Sequence, residues 1–282
     1  MTMMRGRSRF LTIMLTLGLA FFYIPMILLV IYSFNYSKLV PVWGGWSLRW
    51  YEVLFQSEEV WAAVRLSLQI AFVNATFATL LGALAALAMV RFGRFRGRTL
   101  FGGMLMAPLV MPEVITGLSL LVFFISLNEL IGWPAERGFS TITIAHITFS
   151  MAYVAVTVQA RLTGMGQDLE EAAADLGAKP FKVLTAITLP RLTPALVSGW
   201  LLAFTLSLDD LVIASFVTGP GSSTLPILIF SRIRLGLRPD INALATIMIL
   251  VVAVCVAIAA ILMFRQQRAD MLNQQLAERG EG

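Results

Sequence analysis

Three carboxylates stand inside apolar stretches of the chain. Glu113 interrupts the run 99–128, and the adjacent pair Asp209 and Asp210 interrupts the run 192–231. A charged side chain at the centre of a membrane helix is disfavoured by about 2.5–3.5 kcal/mol on insertion scales, so acids there face a bundle interior or a water-filled path. If each run is one helix, beginning near Arg98 and near Pro194, Glu113 and Asp209 both lie fifteen residues in, about 22 Å along at 1.5 Å per residue. Acids gathered at one depth can strip water from a cation and replace it with carboxylate oxygens. The other reading of each acid is a hydrogen-bonded structural carboxylate. Consecutive helical residues point about 100° apart, so one of Asp209 and Asp210 lines a path while the other caps a neighbouring helix or meets a subunit. The sequence leaves open which does which. Ser207 lies two residues before the pair and either joins it or bonds its own backbone. His146 reads as a packing polar group, because no acid lies near it in sequence.

The elements that must hold these acids are membrane helices. Of 282 residues 58% are hydrophobic and 13% charged, and the mean hydropathy is +0.82, far from ordinary soluble composition. Apolar runs predict six spans, at about 10–34, 66–90, 99–128, 139–160, 194–217 and 241–264, each long enough for a hydrocarbon core of about 30 Å. The first run follows Arg5, Arg7 and Arg9, but it is too long for a cleavable signal peptide and no small-residue cleavage site follows it. Basic segments stay cytoplasmic. With the N-terminus inside, fourteen of the 21 Lys and Arg residues fall on inner segments and seven on outer ones, so both termini are expected in the cytoplasm. The basic loop from Arg91 to Arg98 then reads as a topology anchor. The segment 35–64 is external and carries Trp43, Trp46, Trp50 and Trp61, with Trp50 to Phe55 readable as a short amphipathic helix. Gly219-Pro220-Gly221 ends the fifth helix near Val217, and Leu225 to Leu237, within the external segment 218–240, reads as a re-entrant or interfacial piece. Cys255 has no companion for a disulfide or a metal site, and no metal is expected. The net charge of +5 belongs to residues flanking spans rather than to a nucleic-acid surface.

A polar island at 161–193 separates two of the spans. Asp168 to Leu176 has helix-forming composition with acids in its first turn, where the helix dipole favours them. Gly177 fits the left-handed residue that closes a helix, and Pro180 fits the first turn of the next. In that second helix Phe181, Leu184 and Ile187 form a small apolar face that calls for a partner. The pattern Glu171-Ala172-Ala173, three residues, Gly177, nine residues, Ile187, one residue, Leu189-Pro190 resembles the Glu-Ala-Ala loop of bacterial ABC importer permeases, the segment through which such subunits engage a cytoplasmic ATPase.

More of the chain carries the resemblance. Tyr32-Ser33-Phe34-Asn35, Trp50-Tyr51, Met111-Pro112-Glu113, the stretch from Phe204 to Asp210, Phe216 to Pro220 and Ile241 to Thr246 together resemble the second membrane subunit of spermidine/putrescine importers, closest to the putrescine branch. The resemblance implies an all-α, type I (MetI-like) ABC importer permease fold. It also implies a second, homologous permease as heterodimer partner, two ATPase subunits and an extracytoplasmic polyamine-binding protein. It assigns Trp50, Glu113, Ser207, Asp209 and Asp210 to transport of the cargo and Glu171 to coupling; relatives commonly carry Asp, one methylene shorter, where this chain has Glu113. A diamine with an apolar middle suits acids at its ends and Trp faces for cation-π contact, worth about 0.5–2 kcal/mol. The chain lacks the Gly-x-x-x-x-Gly-Lys-Ser/Thr phosphate loop, so no cofactor is expected on it and ATP with Mg is expected on the partner ATPases. The alternatives are an ABC permease for another small cation, or an ion-coupled secondary carrier.

Overall fold

The computed structural model describes residues 9–38, 42–235 and 239–254, together with 257 and 261. Arg5, Arg7, Leu237, Arg238, Cys255, Arg265, Arg268, Arg279 and most of the sixth expected span beyond Val254 lie outside the described residues. The rest is helical, with one isolated antiparallel bridge between Asn35 and Trp46. Two compact units divide the chain, one of residues 1–57 with 232–282 and one of residues 58–231.

In the first unit α1 (Arg9–Ser33) exposes nearly all of its apolar side chains, from Leu11 and Leu15 to Phe21, Phe22 and Ile27. Its end is tied down by Ser33, whose Oγ lies 2.6 Å from the Val30 carbonyl and 2.7 Å from the Tyr51 hydroxyl. Asn35 organises the loop that follows: its Nδ2 donates to the Val42 carbonyl at 2.7 Å and its Oδ1 accepts from the Gly44 N–H at 2.7 Å. One short polar side chain thus stands in for secondary structure across nine residues. The short helix α2 (Arg49–Phe55) buries Trp50 and Leu54, four apart and so on one face. The helix Pro239–Val254 is held in its first turn by an ion pair in which Arg232 Nη1 lies 2.9 Å from Asp240 Oδ2.

The second unit is built on three long helices. α3 (Glu58–Arg91) has 34 residues, about 51 Å, and so outruns a hydrocarbon core. It packs against α6 (Phe139–Gly164) and α9 (Leu189–Leu208) through small residues, among them Ala71, Ala75, Ala78, Gly82 and Ala86 on α3, Ala152 and Ala155 on α6 and Gly199 and Ala203 on α9. Lipid tails are as apolar as Leu, so close backbone approach and dispersion hold such helices together. Gly82 shows how close: a Cβ there would lie 2.8 Å from the Met151 carbonyl oxygen and 2.9 Å from Val154 Cβ.

Two expected spans are broken. The run 99–128 is α4 (Arg98–Val110) and α5 (Glu113–Ile131), separated at Met111-Pro112. Met111 is extended, at φ −75° and ψ 136°, as a residue before proline must usually be. Glu113 therefore lies in the first turn of a helix rather than in the middle of one. The fifth run breaks at Asp209, after which α10 (Val212–Val217) begins, so the two aspartates do not occupy successive positions of a continuous helix. Within the segment expected to be external, α11 (Leu225–Leu235) is helical and buries Leu225 and Leu228. The polar island also differs from expectation at its far end. After α7 (Asp168–Asp175) and Gly177, α8 (Pro180–Val183) passes through a π turn (Leu184–Thr188) directly into α9, giving one apolar rod from Pro180 to Leu208. The described residues include five helices long and apolar enough to cross a membrane.

Candidate functional site

The break at Asp209 has a local cause. Asp210 accepts hydrogen bonds from the first amides of α10, Oδ1 from Ile213 N–H at 3.3 Å and Oδ2 from Ala214 N–H at 2.7 Å, which satisfies donors that a helix start leaves unpaired. The same Oδ2 lies 3.1 Å from His146 Nε2 on α6, and His146 Nδ1 lies 2.7 Å from Ser207 Oγ. All three side chains are buried or nearly so. A carboxylate only accepts, so Nε2 carries the proton in this contact, and in the neutral imidazole Ser207 donates to Nδ1. One turn away along both helices, Asn74 of α3 donates to the Ala203 carbonyl at 2.8 Å and to Ser150 Oγ at 3.2 Å. A ladder of buried polar groups thus crosses the interface of α3, α6 and α9 behind the break.

Asp210 is therefore spoken for by three donors, whereas Asp209 is exposed. Glu113 is exposed as well. Packing sets the elements that follow them side by side: Gly117 of α5 meets Ile213 and Phe216 of α10, with room for no Cβ because Phe216 Cδ2 would lie 2.7 Å away. Further along, Phe124 and Asn128 of α5 share a cavity wall with Pro220, so α5 and α10 run side by side in one direction. Glu113 precedes Gly117 by four residues and Asp209 precedes Ile213 by four, about 6 Å of rise in each case were the helix continued. The arrangement presents two exposed carboxylates from different elements near one end of a packed helix pair.

Trp50 belongs to the first unit and is 6% exposed. Its Nε1–H donates to the Asn35 carbonyl at 2.7 Å, and the cation over its ring is the protein's own Arg49, 5.4 Å from the centroid.

The polar segment 161–193 is capped as its sequence requires. Gly177 takes φ +83°, its N–H bonds to the Ala174 carbonyl and the Ala178 N–H to that of Ala173, the paired bonds of a Schellman closure. Glu171 and Ala172 are exposed and Ala173 half-buried. Phe181 projects at 75% exposure together with Leu176 at 90%, while Leu184, Ile187 and Leu189 are half-buried and Pro190 exposed, so the apolar face expected of Phe181, Leu184 and Ile187 is split between solvent and the unit's interior. The carboxylate turned inward is Glu170, 3.1 Å from Arg91 Nε through Oε2 and accepting from Thr188 Oγ1 at 2.9 Å through Oε1.

Sequence reasoning passed over Asn74, Glu170 and Thr188, and it read His146 as packing and Arg91 as a topology anchor, whereas His146 bridges Ser207 and Asp210 and Arg91 pairs with Glu170. Only Glu170 left a signal: it lies three residues before half-buried Ala173, on one face of α7. The partner of His146 is 64 residues away and that of Arg91 is 79 away, beyond any local pattern.

The family model for the binding-protein-dependent transport system inner membrane component matches residues 78–269. The putrescine transport system permease protein PotI of Escherichia coli K12 is 56% identical over 274 residues, covering 97% of this chain and 98% of that protein. The spermidine/putrescine transport system permease protein PotC of the same organism is 42% identical over 248 residues, covering 88% and 91%. Among solved structures, a bacterial ABC transporter involved in import of the acidic polysaccharide alginate superposes with a TM-score of 0.68 at 21% identity, over 92% of this chain and 96% of that one. That likeness is one of fold, and its cargo is an anion.

Proposed function

Because the chain belongs to the family of binding-protein-dependent transport system inner membrane components and is an ABC importer permease subunit, we propose that it carries polyamines, putrescine foremost, into the cytoplasm by alternating access. One observation carries the reading of cargo: Asp209 stands exposed at the break before α10 and Glu113 stands exposed in the first turn of α5, the helix packed beside α10, while Asp210 is held back by His146 and by the start of α10. A protonated diamine has a cation at each end and an apolar middle, and two carboxylates from separate elements match its ends. The names of the relatives at 56% and 42% identity, putrescine and spermidine/putrescine permeases, point the same way.

The remaining parts follow from that role. The permease works with a second permease, with ATPase subunits and with an extracytoplasmic binding protein, here one that binds polyamines. ATP and Mg sit on the partner ATPases and this chain binds no cofactor. Six spans set both termini and the segment 161–193 in the cytoplasm, supported by the bias of basic residues, with 35–64 and 218–240 outside. Glu171, Ala172 and exposed Phe181 lie on the face offered to the ATPase, and Gly177, Ile187, Leu189 and Pro190 shape the turn and rod behind it. The test is uptake of labelled putrescine by the complete complex in vesicles. Uptake should require ATP and Asp209→Asn should raise the KM for putrescine. ATP-independent uptake driven by a proton gradient would instead identify an ion-coupled carrier.

A further inference from the structure

Arg91, Glu170 and Thr188 come from three elements that the chain folds together at the base of the second unit. Arg91 ends α3, Glu170 lies in the first turn of α7 and Thr188 ends the π turn that leads into α9. Both oxygens of Glu170 are engaged. Oε2 lies 3.1 Å from Arg91 Nε, and Oε1 accepts from Arg91 Nη2 at 3.3 Å and from Thr188 Oγ1 at 2.9 Å. Arg91 Nη2 also reaches the carbonyl of Met165, the residue that ends α6, at 3.4 Å. The two charged side chains are only 14% and 16% exposed, and Thr188 is buried. One guanidinium-carboxylate pair therefore ties the end of α3, the end of α6, α7 and the foot of α9 to a single point. Largely shielded from water, such a pair is costly to break from one side, because removing either partner leaves the other charge partly buried and uncompensated.

Thr188 shows that the node is built into the backbone as well. The other helix threonines nearby, Thr185 and Thr193, return their hydroxyls to the carbonyl four residues back, whereas Thr188 sends its own to Glu170. The helix is widened at this point: Leu189 N–H bonds to the Leu184 carbonyl, five residues back. Pro190 provides the reason, since it has no N–H for the Ala186 carbonyl and its ring crowds that group. A π turn of this kind is a common mark of a functional position in a helix.

We propose that Glu170, held by Arg91 and Thr188, is the positioning residue through which movement of α7 is transmitted to α3, α6 and α9, while Glu171 beside it faces outward. The inference rests on the reading of α7 as the face that meets an ATPase. An element that merely touches the ATPase through exposed side chains could move without the spans following it. Glu170 makes α7 part of the same rigid body as three helix ends.

The test uses the complete complex in vesicles and measures labelled putrescine imported per ATP hydrolysed, alongside the amount of assembled complex. Glu170→Gln keeps the shape and removes the charge, and Thr188→Val removes only the hydroxyl. Each should lower uptake per ATP at least threefold in complexes that assemble to the wild-type level, and the charge-exchanged pair Arg91→Glu with Glu170→Arg should recover more of the ratio than either single exchange. A wild-type ratio in both Glu170→Gln and Thr188→Val, or a fall in uptake that only follows the amount of assembled complex, overturns the proposal. Wild-type uptake that needs no ATP would instead overturn the reading of α7 as an ATPase-facing helix.

Discussion

Alanine at Asp210 and alanine at Asp209 should fail in different ways. Asp210→Ala removes the acceptor for Ile213 N–H, Ala214 N–H and His146 Nε2. Loss of a helix-capping side chain is worth about 0.5–2 kcal/mol, and an imidazole N–H left buried without a partner about 1–3 kcal/mol. Hydrogen bonds between membrane helices average nearer 0.6 kcal/mol, which places the total at about 1–3 kcal/mol. Asp210→Asn should fall between Ala and wild type, because the neutral imidazole can shift its proton to Nδ1, donate to Ser207 and accept from the amide at Nε2. Asp209→Ala removes an exposed group, so its effect on stability should stay within about 0.5 kcal/mol. Its effect on cargo should be larger: a lost hydrogen bond to an ammonium is worth about 1.5–2 kcal/mol, a KM about 10- to 30-fold higher for putrescine. Thermal unfolding of the complex in nanodiscs and uptake kinetics in vesicles read the two effects apart. Equal loss of thermal stability in both alanine variants, or an Asp210→Ala complex as stable as wild type with a raised KM, would refute the assignment.

Gly82→Val should loosen the contact of α3 with α6, because the atoms a side chain would meet at 2.8–3.0 Å include the Met151 carbonyl and the Ala155 amide, which cannot swing aside; overpacking of this kind is worth about 1–3 kcal/mol and should show as faster proteolysis of the purified complex. Trp50→Phe keeps an aromatic ring and loses the bond to the Asn35 carbonyl, so stability should drop by about 1 kcal/mol with the KM for putrescine unchanged; a raised KM would mean that cargo meets this ring. Gly177→Val forces a β-branched residue to φ +83°, a penalty of about 1–2 kcal/mol, and should reduce ATP-dependent uptake more than it reduces the amount of subunit in the membrane.

Hydropathy made the membrane class and most helix positions legible because a spanning helix must be apolar along some twenty residues, whatever it packs against. It could not show where a helix breaks within an apolar run. Met111-Pro112 carried a usable signal, since a residue before proline resists the helical region. The break at Asp209 carried a weaker one, an Asp ahead of an apolar helix start, and the apolar flanks outweighed it. Gly177 and Pro180 were legible for the opposite reason: each acts through its own backbone, and both do in the structure what their chemistry allows. His146 and Arg91 were opaque. A His with no acid nearby and an Arg at a span's end have ordinary explanations, and their actual partners, Asp210 and Glu170, are brought to them only by the packing of α3, α6, α7 and α9.

The rod from Pro180 to Leu208 joins the two ends of the problem. Its 29 residues, about 43 Å at helical rise, begin beside exposed Phe181, pass Thr188 on Glu170, and end with Ser207 on His146 and with Asp209 at the break. Each end is thus tied to α6 by polar contacts, through Arg91 and Met165 below and through His146 above. Between those ties lies a tightly packed apolar interface around Gly199 and Ala203, with Val154 in contact with Gly199. Packed interfaces of this density shift between discrete arrangements and do not deform continuously. Displacement at the coupling end can therefore leave the rod by two routes, by giving at the π turn or by disturbing the Ser207–His146–Asp210 contacts that set the start of α10. The second route ends at the residue next to exposed Asp209, at the break that closes the rod.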